Sequence, residues 1–563
     1  MRQRVQCLGL CFVLVGVFGG ARASAQASLG NSPSFDPALA AEFDSYVDDA
    51  LDVFGVPGAA VALIAGGEVV HEHACGVRGG REAQPVDLDT RFMIGSISKS
   101  MTATLAATLV DSRSLDWDTP AARLLPGFEL SNPAYTPLVR IRELLSHSSG
   151  VARYDTALYM KALAPLELVS AVSRYPLSGQ PRQTWDYQNQ MFALGGFAAV
   201  HAAGYRYADR SLESGFAKLV HDRVFYPLGM ARTTPDFDVA IAERDHASPH
   251  TFDPLLDGVV DVPLGFERFA TPIAPGGAIW SSIRDMARYA VMQAREGLSA
   301  DGRRVVSEAS LLETHTAQVA VSADVGYGFG WLVADVNGLK VLTHDGGTSG
   351  FTSRVLILPD LDLGLVILTN RWGAGAFQNA VQDYALDLLL GNGASDDSQA
   401  IAEEQALRAQ LVAVAAATAP VTRASVAAYL GEYELGASVR YRDSELILKT
   451  EFGEFPTRAV PGLDGVYLGV HNVGALMVGQ FTTDERGQVT LTVGIPDIEN
   501  ERILQPFTLK KREHVRSGGP CRDSTRDLAR LRELLHGRGA SVPKLERPFD
   551  ANAVRDVRRR FQR

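Results

Sequence analysis

Gly95-Ser96-Ile97-Ser98-Lys99-Ser100 is followed by Met101, Leu105 and Leu109 at four-residue spacing. That period predicts a helix whose first turn carries Ser96. Ser96 and Lys99 then share one helix face, within reach of each other. A serine hydroxyl is a weak nucleophile until a base takes its proton. Lysine is that base only when neutral, and burial with suitable neighbours drives it toward that state. The helix N-terminus also offers a backbone N–H to a developing oxyanion. The same Ser-x-x-Lys spacing recurs at Ser541-Val-Pro-Lys544, where a proline stands and no apolar helix follows. Taken by itself the motif fits a solvated lysine as well as a catalytic one, so the remaining chain decides.

The length of 563 residues suggests two or more domains. A hydrophobic content of 46% and a charged content of 21% describe an ordinary globular protein. A net charge of −11 is mild for this size and gives no reason to expect nucleic acid as a partner. Arg2 and Arg4, the apolar run Leu8–Phe18 and the small residues from Ala21 to Ala27 read as a secretory signal, cleaved after Ala25 or Ala27. The run is too short for a membrane span, so an exported protein, periplasmic or secreted, with no integral span after cleavage is expected. Cys7 and Cys11 leave with the signal; Cys75 and Cys521 remain, and spacing does not say whether they pair.

Leu39, Phe43, Val47 and Leu51 make a one-faced helix ending near Gly55-Val56-Pro57-Gly58. Ala59–Ala65, the turn Gly66-Gly67 and Glu68–His73 read as a β-hairpin. His71, His73 and Cys75 alternate and so share a strand face. With no fourth ligand near in sequence, a plain strand face is favoured over a metal site, and neither metal nor cofactor is expected. Residues 101–325 are mostly helical pattern and loop. Within them, Leu144–Gly150 is a turn in which His147 is expected to bond backbone, and Trp185-Asp186-Tyr187-Gln188-Asn189 precedes a helix over Phe192–Val200. A phenol near a lysine ammonium can ionise and shuttle protons, and the Asn189 amide suits a substrate carbonyl.

Gly326–Asp335, the turn Asn337-Gly338 and Leu339–His344 form the strongest hairpin signal, followed by strands Thr352–Leu358 and Leu363–Thr369. His344-Asp345-Gly346-Gly347 ends the second strand, where glycines permit close approach. With the helix Phe377–Leu390, the element order predicts an α+β sandwich whose terminal helices cover one face of an antiparallel sheet. Beyond it come a linker over 391–425 with an alanine-rich helix at Ala400–Ala417, a small all-β barrel over 426–510 built from about eight short strands, and a basic tail over 511–563.

Ser96-x-x-Lys99, Tyr187-x-Asn189 and His344-x-Gly346, in that order, resemble the serine β-lactamase and penicillin-binding-protein family, specifically its class C-like branch with DD-peptidases, D-aminopeptidases and carboxylesterases. Phe92–Gly95, Leu144–Gly150, Pro227–Met230, Gly276-Gly277, Tyr327–Trp331 and Leu365–Asn370 look like its framework segments, so the resemblance covers residues 35–390. It implies a helical lobe against an antiparallel sheet flanked by helices, and likens the C-terminal strands to a lipocalin-like barrel. It further implies that Ser96 is acylated, that Lys99 activates it and that Tyr187 is the acid/base. Asn189, Asp345 and Gly346 would bind substrate, His344 would support Tyr187 electrostatically, and the N–H groups of Ser96 and Gly347 would form the oxyanion hole.

Some positions depart from the family pattern. His344 stands where many relatives have lysine, which disfavours β-lactam hydrolysis. Gln188 is bulkier than the usual small residue, and Asp345 replaces a hydroxyl that helps bind a carboxylate. No Glu-x-x-Leu-Asn segment supports a class A deacylation route. The function implied is a serine hydrolase acting through an acyl-enzyme on small-molecule or short peptide substrates, either D-amino-acid peptides or amides or carboxylic esters. Neutral or amine-bearing substrates are expected over acids because of Asp345. The alternative is a catalytically weak penicillin-binding or cell-wall-sensing protein on the same scaffold. Oligomeric state is left open by the sequence.

Overall fold

The computed structural model describes residues 36–79, 84–336, 338–390, 397–469, 477–497 and 502–512. The signal segment, Cys521, the Ser541–Lys544 copy, the tail beyond Arg512 and the hairpin residue Asn337 lie outside them. Among the described residues, no helix is long and apolar enough to cross a membrane.

Eight antiparallel strands form the central sheet: β1 (Gly58–Ala65), β2 (Glu68–Gly76), β3 (Val319–Ala320), β4 (Val325–Tyr327), β5 (Leu332–Val336), β6 (Leu339–Gly347), β7 (Thr352–Leu358) and β8 (Leu363–Thr369). Their order is β2-β1-β8-β7-β6-β5-β4-β3, so the N-terminal hairpin joins the sheet beside β8. Strand residues alternate between two cores, as a two-residue period demands. Ala60, Ala62 and Ile64 of β1 face one, and Ala59, Val61 and Leu63 face the other. The second core is covered by α1 (Pro37–Phe54) and by a C-terminal helix spanning Gly375–Leu390, where Tyr46 stacks on Tyr384 at 3.9 Å between ring centroids. The first core is covered by α2 (Ser98–Asp111), α3 (Asn189–Ala202) and α4 (Ile283–Ala294).

Three features differ from the sequence reading. The run 326–335 is not one strand: it breaks at Gly330, whose φ of +76° lies in the left-handed region, and β4 and β5 flank the break. Helix α2 begins at Ser98, so Ser96 sits on the 3₁₀ turn Gly95–Ile97 before it and not on its first turn; the helix's buried hydroxyls are satisfied, with Thr102 Oγ1 donating to Pro275 O at 2.7 Å and Tyr289 Oη to Ser100 Oγ at 3.0 Å. The alanine-rich segment is a helix over Ser398–Ala416 that docks on the sheet-bearing part through a buried Glu404–Arg371 pair (2.6 Å).

The C-terminal strands run as an eight-stranded antiparallel meander from Gly431–Glu432 to Arg502–Lys510. The sheet curls until Tyr433 and Lys511 bridge, and alternating side chains such as Leu446, Leu448, Phe455 and Leu491 fill its interior. Met160 and Phe266 share that apolar cluster, with the Phe266 ring 5.3 Å from Phe455.

Candidate active site

The chain leaves the short strand Phe92–Met93 and turns at Gly95, φ +50°, into a 3₁₀ turn carrying Ser96. A Cβ on Gly95 would stand 2.7 Å from Gly347 N, and one on Gly346 would stand 2.0 Å from Ile94 O. Glycine at both positions therefore lets β6 run against the turn that carries Ser96. Helix α2 starts immediately after and puts Lys99 behind Ser96. Ser96, Tyr187, Asn189, His344, Asp345, Gly346 and Gly347 all line one cleft of about 620 Å³, in the range of small-molecule sites.

Lys99 has no exposed surface, and its Nζ has three polar neighbours: Ser96 Oγ at 3.0 Å, Asn189 Oδ1 at 2.7 Å and Gly276 O at 2.6 Å. Burial pushes its pKa well below the usual lysine value, against the attraction of Asp155. A neutral amine satisfies all three contacts: it donates to the two carbonyl oxygens and accepts the Ser96 proton. The Tyr187 phenol also reaches Ser96, and burial raises its pKa, so it is held as a proton donor. The ionised phenol expected from the sequence is therefore disfavoured, because the lysine beside it is itself driven neutral. Lys99 Nζ lies 4.8 Å from the Tyr187 ring centroid.

Asn189 opens α3. Its Oδ1 faces Lys99, and its Nδ2 donates to Asp155 Oδ1 at 2.9 Å. Asp155 in turn accepts from Arg153 Nε at 2.6 Å. The Arg153–Asp155 pair lines the cleft and was not legible in the sequence, because residues far apart along the chain meet there. His147 has a left-handed backbone (φ 59°); its Nδ1 accepts from Gln188 N at 3.1 Å and its ring packs 4.1 Å from Tyr187. It bonds backbone as expected, and also buttresses the phenol.

His344 stands beside Tyr187 as a neutral ring: burial, with Lys99 nearby, lowers its pKa to about 4. Its Nδ1 donates to Asp345 O (2.7 Å), leaving Nε2 to accept from Tyr327 Oη (2.9 Å). Asp345 does not present an open negative charge. Both its oxygens are held by the buried Arg354, through Nε at 2.7 Å and Nη2 at 2.9 Å.

A serine hydrogen-bonded to a buried lysine, between a helical lobe and an antiparallel sheet, is the arrangement of an active-site-serine hydrolase. A family model described as Beta-lactamase matches residues 43–389, and the chain belongs to that family. Penicillin-binding protein 4 of Amycolatopsis lactamdurans is 31% identical over 337 residues, 57% of this chain and 83% of that protein. Unguisins hydrolase ungD' of Aspergillus campestris (strain IBT 28561) is 28% identical over 355 residues, 60% of this chain but only 62% of that protein. Among solved structures, the octameric penicillin-binding protein homologue from Pyrococcus abyssi matches with a TM-score of 0.54 at 20% identity. That match covers 84% of this chain and 99% of the other, and it speaks to fold alone.

Proposed function

We propose that this exported enzyme hydrolyses amide or ester bonds through a Ser96 acyl-enzyme. The observation that carries the reading is the buried Lys99 amine 3.0 Å from Ser96 Oγ, with both its other contacts acceptors. Ser96 Oγ attacks the carbonyl as its proton passes to Lys99, and the N–H groups of Ser96 and Gly347 receive the oxyanion. Tyr187 protonates the departing amine or alcohol and is reprotonated from Lys99. Water then enters along the same proton path and frees the acid. Asn189 keeps Lys99 aimed and offers its remaining N–H to the substrate carbonyl.

The substrate class is a D-amino-acid peptide or amide, or a carboxylic ester, with β-lactams disfavoured. The support is the neutral His344, turned onto Tyr327, so that no cation stands at that position to attract a carboxylate. The signal-like N-terminus supports a periplasmic or secreted location. The test is turnover of a chromogenic ester, D-amino-acid amides, acyl-D-Ala-D-Ala peptides and a cephalosporin by wild type and Ser96→Ala. We expect ester or amide turnover that vanishes in Ser96→Ala, with the acyl group mapped to Ser96. Acylation of wild type without turnover of any substrate would instead indicate a penicillin-binding sensor.

A further inference from the structure

On the sheet face away from α2, the edge strand β2 meets α1. Alternation puts His71, His73 and Cys75 on that face. From the sequence these lacked further ligands, but α1 brings Asp44 and Asp48, one turn apart, directly over them. His73 stands between the two carboxylates: Nε2 is 2.8 Å from Asp48 Oδ1, and Nδ1 is 3.2 Å from Asp44 Oδ1. Asp44 Oδ1 is fixed from its other side by His71 Nε2 at 2.6 Å. The ligand atoms of Asp48, His73 and Cys75 all lie within 4.8 Å of one another.

We infer that Asp48, His73 and Cys75 form a binding site for a zinc-like divalent cation, with Asp44 as the carboxylate that orients His73. The donor set of one oxygen, one imidazole nitrogen and one sulfur suits zinc, whose bonds of about 2.0 Å to N and O and about 2.3 Å to S need donors somewhat closer together than this. Asp48 makes up the difference: its side chain, 54% exposed on the surface of α1, already touches His73 and has room to swing inward. The Asp44 carboxylate lies 3.2 Å from His73 Nδ1, on the side away from Nε2, so Nε2 is left to the metal in a carboxylate–histidine–metal arrangement that raises ligand basicity. Three protein ligands leave a fourth position for water on the open side. Binding releases the Cys75 thiol proton to solvent, and the metal takes the place of the direct His73 Nε2–Asp48 contact. The catalytic centre is not involved.

The decisive measurement is titration of full-length, reduced and chelator-treated protein with Zn²⁺ by calorimetry and with Co²⁺ by absorption. One equivalent of Zn²⁺ bound at micromolar or tighter affinity is expected, with a thiolate-to-cobalt charge-transfer band. Cys75→Ser should abolish that band and His73→Ala the binding, while Asp44→Asn should weaken it about 10–100-fold. Ester turnover should be unchanged in Cys75→Ser. The wild-type titration stands even if a variant misfolds: saturable binding with a sulfur band supports the site, and no saturable binding overturns it. Equal binding by folded His73→Ala, or a peptide map showing Cys75 in a disulfide with Cys521, also overturns it.

Discussion

At the residue scale the proton inventory sets what each substitution does. On the proposed proton path Lys99→Ala removes the base and Tyr187→Phe the donor, and each should lower kcat by ~10²–10⁴. Because both hold one proton path through Ser96, the double variant should lose far less than the product of the two; multiplicative losses would place them in separate steps. His344 stays neutral down to about pH 4, and burial also drives the pKa of His147 well below the usual histidine value, so both rings are held toward the neutral form. The acid limb of kcat/KM should therefore report Lys99 and keep its midpoint in His344→Gln; a midpoint that moves would return the charge to His344. Asp345→Asn tests the pair with Arg354, whose side chain is 3% exposed. Leaving that guanidinium uncompensated should cost ~3–5 kcal/mol in chemical denaturation. Ser96, Lys99, Tyr187 and Asn189 were legible because their chemistry sits in short local spacings. Asp155, Arg153 and Arg354 were not, because their roles depend on strands and loops that only folding brings together.

Among the elements, the 3₁₀ segment Leu264–Ile273 carries a buried carboxylate that braces the loop after β6. Glu267 Oε1 accepts from Gly350 N at 2.8 Å and Oε2 from Ser349 N at 3.3 Å. Burial raises its pKa from 4.5 to about 7, although these donors oppose the change. Between those values the native state holds a proton that the unfolded chain has released, so this group's contribution to stability falls as pH rises through the window. Each tenfold difference in proton affinity between the two states is worth about 1.4 kcal/mol. Urea midpoints of wild type relative to Glu267→Gln should therefore decline from pH 4.5 to 7.5, and a constant difference would mean Glu267 is ionised throughout. Hairpins were legible at this scale wherever turn chemistry and alternation agreed, as at Gly66-Gly67 between β1 and β2. The burial of helix α2 gave no sequence signal, because serines and threonines ordinarily face solvent, yet in the fold they bond carbonyls inside the helix and on its neighbours. Glu267 gave no sequence signal, since a lone glutamate in a loop pattern is ordinarily exposed.

For the whole molecule, the question is how the segment after Leu390 relates to the catalytic part. We propose that residues 426–510 form a domain of their own, joined through a helix that is docked and not a loose tether. The alanine-rich helix Ser398–Ala416 has almost no one-sided apolar pattern, so its docking face was invisible in the sequence. What seats it is an ion pair 33 residues apart. Glu404 accepts from Arg371 Nη2 at 2.6 Å and from Arg408 Nε at 2.8 Å, and the Glu404 and Arg371 side chains are only 4% and 3% exposed. The same helix places Glu403 and Leu407 on the cleft wall. Glu404→Ala in the full chain should strand Arg371 as a buried charge and cost ~3–5 kcal/mol. An exposed pair on a loose linker would cost ~0–1 kcal/mol. Adding Arg371→Met to Glu404→Ala should recover much of the loss, because an apolar side chain of similar size needs no counter-charge in that pocket. Urea denaturation of the three variants against wild type measures both steps. A small loss in Glu404→Ala, or no recovery in the double variant, would show that the helix is held by something other than this pair.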